Sequence, residues 1–587
     1  GPLRALPPPP TGPRKVFRTA YLVAETGFDP QVFNDQYSNN IMANIFESPL
    51  RYAYLARPAK LVPMTAAEMP EVADDFKTFT VRIRPGILFD DHPAFGGKPR
   101  ELVAEDYVYS FKRIFDPRWK SQKLFLYEPL GILGLGELRK RALQPGGSFD
   151  YDTPVEGLRT LDRYTFRVRL AQPAPRFLYN LAAPSNTGAV AREVVEMHGD
   201  TIGEHPVGTG PFRLAQWTRA SRMVLERNTR YRNEVFDEEA PADDPRAQQI
   251  AQQMRGRRLP MVDRVEVTII EESQPRWLAF VGGELDMLSS VPLDFANIAM
   301  PGGVLAPNLQ RKGIEMDRYT PPDLALTYFN MKDPVVGGYT PEKVALRRAI
   351  SLGYDETEEI VSVRRGQAII AQGIVPPSTF GYDPSFKSEM GDYDPARANA
   401  LLDMYGYLDR NRDGWREQPD GQPLVLHYGT QPDQLSRQID EQWRKNMAAI
   451  GIKMVFDVAK WPEQLKQARA GTLQVWGFGW AGGSPDSDDF VGLGYSPNAG
   501  ESNLARFALP QYDALYRRQK VLPDDAERAA MLRQMSELLT VYMPYKLHCH
   551  RIGTAMMQPW LHGAKYNPFV ADYWRYLDVD SARQPAA

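Results

Sequence analysis

One cysteine, Cys549, stands in 587 residues. An intrachain disulfide is thereby excluded, so the fold must stand on packing and polar contacts, and cysteine usage leaves the redox compartment open. Long apolar runs are missing: no stretch approaches the ~20 residues that span a bilayer. A charge surplus is missing too. Seventy Lys and Arg face 73 Asp and Glu, a net charge of -3, whereas a nucleic-acid binder is more often basic. Histidine is scarce, at seven residues, and these form no recognisable catalytic set. The chain contains no G-x-S-x-G elbow, no H-E-x-x-H, no P-loop and no G-x-G-x-x-G after a strand. Acidic pairs such as Asp90-Asp91 and Asp243-Asp244 read as ordinary surface. Together these absences argue against an enzyme, a nucleic-acid binder and a membrane-spanning protein, and no cofactor is expected.

What is present is enough for packed cores. Hydrophobic residues make up 43% and aromatics 11%, and the length suits roughly three or four domains. The start, with Gly1-Pro2 and the four prolines Pro7 to Pro10, reads as a cloning remnant followed by a polyproline-type leader, with any export signal already removed. Thr165 to Leu170 alternates with period two, and strands are also expected over 16–23, 212–217, 222–226, 265–270 and 452–458. A helix is expected over 39–47 with Ile41, Ile45 and Phe46 inward. Another is expected over 434–450, where Leu435, Ile439, Trp443, Met447 and Ile450 form one stripe. Residues 234–258 place an acidic run before a short basic helix, which suggests a solvated appendage.

The segment from Phe76 to Pro117 says most. Phe79, Val81 and Ile83 alternate with polar residues, Pro85-Gly86 turns the chain, and the apolar period then lengthens. Val103, Tyr107, Val108, Phe111 and Phe115 share one helical face, with Glu105 and Asp106 in the first turn, where the helix dipole favours anions. This strand–turn–strand–loop–helix order resembles the signature region of the family 5 extracellular solute-binding proteins, the dipeptide- and oligopeptide-binding subunits of ABC importers. Phe28-Asp29-Pro30 resembles the family's LDP turn. The run PVGTGPFRL from Pro206 resembles its PVGTGPY motif, whose glycines are expected to permit unusual backbone angles. AFVGGELDML and VALRRAISLGYDETEEIV resemble its later markers.

The resemblance implies an α/β, periplasmic-binding-protein-like fold: two closing lobes with mixed sheets, an inserted extra domain and a hinge. Carried over, lobe I is 1–50, 206–317 and 555–587, lobe II is 51–205 and lobe III is 318–554, with hinge crossings near Tyr319 and Gly553. It further implies an exported, periplasmic, monomeric, non-catalytic protein. Such a protein captures a peptide-like solute and passes it to an ABC permease, meeting the membrane only through that permease or a lipid anchor. A sugar oligomer, metal chelate, haem or other planar cargo is the alternative.

Leu473 to Phe490 is the expected ligand wall. Trp476, Phe478 and Trp480 alternate and so share one face of an extended segment, while Gly477, Gly479, Gly482 and Gly483 admit a second backbone. An extended ligand could lie there as an added strand, touching Ala481, Gly482 and Gly483. The family pattern has an aspartate, partner to the ligand's ammonium, where this chain has Gly483. Asp486 is the expected substitute, with Asp488, Asp489 and Asp35 as further candidates. By position, Phe33, Asn34, Asp35, Gln36 and Tyr37 would present main chain, and Trp461 and Tyr109 would face the ligand. Asp409, Asn411 and Asp413 fit half of a calcium loop, but its twelfth position is Asp420 and three arginines intrude. His548 and His550 flank Cys549 on one side of an expected strand without a visible third ligand.

Overall fold

The computed structural model describes residues 14–586; Gly1-Pro2 and Pro7 to Pro10, for which a cloning remnant and a leader are expected, lie outside them. The chain divides into two compact units. One comprises the residues up to Phe295 with Leu305–Asp317 and Ala555 onward, the other Ala296–Val304 and Arg318–Thr554.

In the first unit, strands Val16–Tyr21, Arg264–Ile269, Arg222–Arg227 and Phe212–Thr218 lie side by side in that order. The first pair is parallel and the others antiparallel. Asp286, from the GELDML run, anchors the first strand by accepting the main-chain N–H of Arg18 at 2.7 Å and pairing with its guanidinium at 2.8 Å. A second sheet orders Glu71–Ala73, Thr78–Arg82, Thr165–Arg169 and Leu158–Asp162. Its register sets Phe79 opposite Val168 and Val81 opposite Phe166, and all four are buried. Alternation thus yields one dry face, as period two requires. Helix Ala104–Phe115 follows, with the Asp106 carboxylate accepting the N–H of Val103 at 2.9 Å.

Three local expectations change. The helix expected over 39–47 is Gln36–Met42, because Asp35 caps it by accepting the N–H of Ser38. Ile41, Ile45 and Phe46 are nonetheless buried. The glycines of PVGTGP serve close approach instead of unusual angles. A Cβ on Gly208 or Gly210 would come within 2.2 or 2.6 Å of the Ile45 carbonyl, where the N–H of Gly210 already donates at 2.8 Å. The 234–258 stretch is packed down. Its helix Pro245–Met254 buries Ala247, Ile250, Ala251 and Met254, and Glu238 pairs with Arg51 at 2.7 Å. A buried carboxylate needs such a partner, and the sequence distance between the two hid it.

The second unit is built on a six-stranded mixed sheet in the order Ala368–Ile370, Tyr545–Arg551, Asp323–Phe329, Val475–Ala481, Val425–Thr430, Lys453–Val458. Helix Gln434–Ala449, the expected amphipathic one, buries Trp443 and Met447 in the main core beside Tyr354 and Tyr428. No helix among the described residues is long and apolar enough to cross a membrane.

Candidate functional site

Strand Val475–Ala481 pairs along its whole length with Asp323–Phe329 on one side. On the other side it pairs with Val425–Thr430 only through Val475 and Trp476. From Gly477 to Ala481 that second edge pairs with no strand among the described residues. Its main-chain groups are therefore the kind that an added strand completes.

The side chains sort by face. Trp476 is fully buried, and its Nε1–H donates to Gln464 at 3.0 Å. Phe478 stacks on it at 5.7 Å and 17°. Trp461, 41% exposed, stacks over Trp476 at 4.7 Å and closes that side. Trp480 is half-buried, edge-on to Phe478, and donates its Nε1–H to the Asp489 carbonyl at 3.1 Å. The aromatics do share a face, but Trp476 and Phe478 belong to the core. A tryptophan wall is thus corrected to a packed ladder with Trp461 and Trp480 at its margin.

Beyond the buried Val475, the opposite face carries only Gly477, Gly479 and Ala481. A Cβ on Gly479 would meet the Arg551 guanidinium, Nη2 at 2.4 Å and Cζ at 2.9 Å. Arg551 is fixed there by Asp323: Nη2 to Oδ1 is 2.7 Å and Nε to Oδ2 is 2.9 Å. The Arg551 side chain is 43% exposed while Asp323 is 8% exposed. An exposed guanidinium held in one orientation suits a carboxylate. Sequence reading missed this pair, whose members stand 228 positions apart.

The loop after the strand supplies acids. Ala481 and Gly483 are exposed. Gly482 is confined, since a Cβ would meet Phe490 at 2.8 Å, whereas nothing lies within 4 Å of a Cβ on Gly483. Asp486 is already committed: it pairs at 2.9 Å with Arg528, whose side chain is fully buried. Asp488 accepts from Tyr516 at 3.1 Å and Gln519 at 3.0 Å. Asp489 is exposed, and its carboxylate takes no hydrogen bond among the described residues. The protein around it and the nearby Asp486 and Asp488 hold its carboxyl above the ordinary range.

The first-unit candidates stand apart in their uses. Asp35 caps its helix and is bonded by the Thr26 hydroxyl. The Asn34 N–H donates to Gln122 at 3.0 Å, and Gln36 is exposed. Tyr37 packs on Tyr21 at 4.6 Å. Phe33 lines a cavity of about 360 Å³ with Thr26, Arg118, Trp119 and Arg219. Tyr109 is buried against Tyr151 at 4.9 Å.

The two metal-like patterns also take definite form. In the 409–414 loop, Asp409 accepts the N–H groups of Asp413 and Gly414 at 3.1 and 2.9 Å, and Asp413 accepts that of Trp415 at 2.8 Å. Asn411 accepts from Asp413, and Glu417, not Asp420, completes the acidic set with Asp409 and Asp413. The two histidines part company. His548 joins buried Glu356 and Glu359, its Nδ1 2.7 Å from Glu356 and its Nε2 2.8 Å from the Thr327 hydroxyl. His550 turns to the Asp323 main chain.

Residues 60–502 match the family described as bacterial extracellular solute-binding proteins, family 5 middle. The chain is 24% identical over 570 residues to the heme-binding protein A of Haemophilus influenzae, covering 95% of this chain and 91% of that protein. It is 25% identical over 571 residues to the di/tripeptide-binding protein 2 of Pseudomonas aeruginosa, covering 95% and 93%. Among solved structures it resembles an ABC transporter-associated periplasmic binding protein of Helicobacter pylori in complex with the peptide STSA. The TM-score is 0.68 at 19% identity, covering 97% of this chain and 99% of that one. The likeness shows a periplasmic-binding-protein fold with mixed α/β sheets.

Proposed function

The chain belongs to the bacterial extracellular solute-binding proteins of family 5, and on that basis we propose that it captures an extended peptide-like solute outside the cytoplasm and hands it to an ABC permease without catalysing a reaction. The observation that carries this reading is the unpaired edge from Gly477 to Ala481. A peptide added there gains main-chain hydrogen bonds that do not depend on its sequence. Arg551 takes the solute's carboxylate and Asp489 its ammonium, the role given to Asp486 on sequence grounds. Trp461, Trp480, Ala481, Gly482 and Gly483 flank the ligand. Main chain from Phe33 to Tyr37 and closure about Tyr319 and Gly553 belong to the same proposal, as does the division of the first unit into lobes I and II. Titration calorimetry with unmodified, N-acetylated and C-amidated tripeptides tests it. Micromolar or tighter binding is expected for the unmodified peptide, weakened by either block; equal affinity for all three would refute the assignment of the two ends.

A second reading keeps the transport role and changes the cargo to a planar or chelated solute. Gly483 favours it, because the open position there lacks the family's carboxylate. Native mass spectrometry of the protein purified with its cargo separates the two by ligand mass.

A further inference from the structure

A cavity of about 480 Å³ opens within the second unit and shares no lining residue with the Gly477–Ala481 edge or the loop that follows it. Its apolar wall is Ile360, Ile370, Val375, Tyr382, Phe386 and Leu532. Gly381 shapes one side: with φ at +89° it takes a turn few residues adopt, and a Cβ there would press on Leu532 at 2.8 Å.

His550 lines this cavity and is only 2% exposed. Its Nδ1 lies 2.8 Å from the Asp323 carbonyl oxygen. A carbonyl only accepts, so Nδ1 carries the hydrogen and Nε2 is left as an acceptor. No donor among the described residues reaches Nε2. Burial pulls the imidazole down to about 4, which keeps it neutral near pH 7. A guest with an N–H or O–H would give this acceptor the hydrogen bond that the described residues do not. Two cations belong to the same lining. Lys387 is exposed, with no acidic partner among the described residues. Arg533 holds Asp383 at 2.7 Å and lies over the Phe386 ring.

We propose that this cavity is a second ligand site, taking a small amphipathic anion: an apolar body against Ile370, Val375 and Leu532, an N–H or O–H donor at His550 Nε2, and a carboxylate or sulfonate beside Lys387 and Arg533. The volume lies in the range of small-molecule sites. The inference stands apart from the transport reading, since every lining residue belongs to the second unit and none to the peptide edge.

The test uses 8-anilinonaphthalene-1-sulfonate, which combines two apolar ring systems, one N–H and a sulfonate. Titrated into the full chain at pH 7.5, it should show a single saturable rise in fluorescence. Leu532→Trp and Ile370→Trp fill the cavity and should each weaken binding at least about tenfold, and His550→Phe about fivefold through the lost hydrogen bond. Lys387 is exposed, so Lys387→Ala keeps the fold and reads the anion end alone, with an expected loss of about threefold. Unchanged affinity in folded Leu532→Trp or Ile370→Trp overturns the proposal. Should neither fold, unchanged affinity in Lys387→Ala overturns it. Tripeptide affinity should be unmoved by Lys387→Ala, so failure here and failure of the transport reading are read separately.

Discussion

The Arg551 guanidinium, gripped by the Asp323 carboxylate at 2.7 Å, occupies the space a side chain at Gly479 would need. The absence of a Cβ at one strand position thus sets where a positive charge stands 72 residues further along the chain, on a different strand of the same sheet. A methyl at 479 would collide with the far end of a flexible side chain, so Gly479→Ala should fold normally while moving the cation. We expect its melting temperature to stay within a few degrees of wild type and its tripeptide affinity to fall severalfold. Arg551→Ala should cost more, about 10- to 100-fold, the range of a hydrogen bond to a charged group. Calorimetry on both variants, with a C-amidated tripeptide that should show no such loss, checks the assignment.

Gly483 has open space around its missing side chain, so an acid can be restored there without displacing anything. Gly483→Asp should raise affinity for peptides with a free amine, by about 3- to 10-fold, and leave N-acetylated ones unchanged. Asp489→Asn should do the reverse to the unmodified peptide. A gain shared equally by the acetylated peptide would contradict the ammonium role.

In the first unit, Asp29 of the Phe28-Asp29-Pro30 turn pairs with Arg113 on the signature helix. The two distances are 2.6 and 2.7 Å, and both side chains are buried. Gln31 also accepts from Arg113 at 2.8 Å. Removing one partner strands a buried charge, so Asp29→Ala should destabilise this unit by about 3–5 kcal/mol. Urea unfolding followed by tryptophan fluorescence measures it. A loss under about 1 kcal/mol would mean that water reaches Arg113.

His550 should make stability fall with acid. Its folded value lies near 4, below the ordinary histidine value of about 6.5. As pH drops below about 6.5, the unfolded chain takes up the proton that the folded protein refuses. The stabilisation is therefore complete above that pH and is lost on descending towards 4, up to about 3 kcal/mol for this group. Urea midpoints for wild type and His550→Gln between pH 7 and 4.5 should diverge, with wild type falling more steeply; parallel lines would contradict the burial argument.

Much of the fold was legible because its signals are local. Alternation at Phe79 and Val81 gave a strand, and the stripe through Trp443 and Met447 gave a helix. The family motifs then gave the topology, and the structure supplies their physical reasons. Asp29 serves Arg113, Asp286 serves the first strand, and Gly208 and Gly210 let the chain pass the Ile45 carbonyl. The candidate site was legible in place and not in detail. Residues 475–486 could be singled out, yet alternation cannot say which face of a strand is dry, and Trp476 lies on the dry one. Nor can a sequence show that a neighbouring strand stops pairing after Trp476, that Arg551 meets Asp323, or that Asp486 is spent on Arg528. Each depends on segments brought together only by the finished sheet.

Amide hydrogen exchange across residues 475–483, with and without saturating tripeptide, tests the central claim most directly. If the solute adds itself to the free edge of this strand, exchange should slow by at least about tenfold at the alternate amides between Gly477 and Ala481 that face that edge and not the Asp323–Phe329 strand, as groups open to water gain a partner. Saturable binding that leaves these amides exchanging at the unliganded rate would contradict the account.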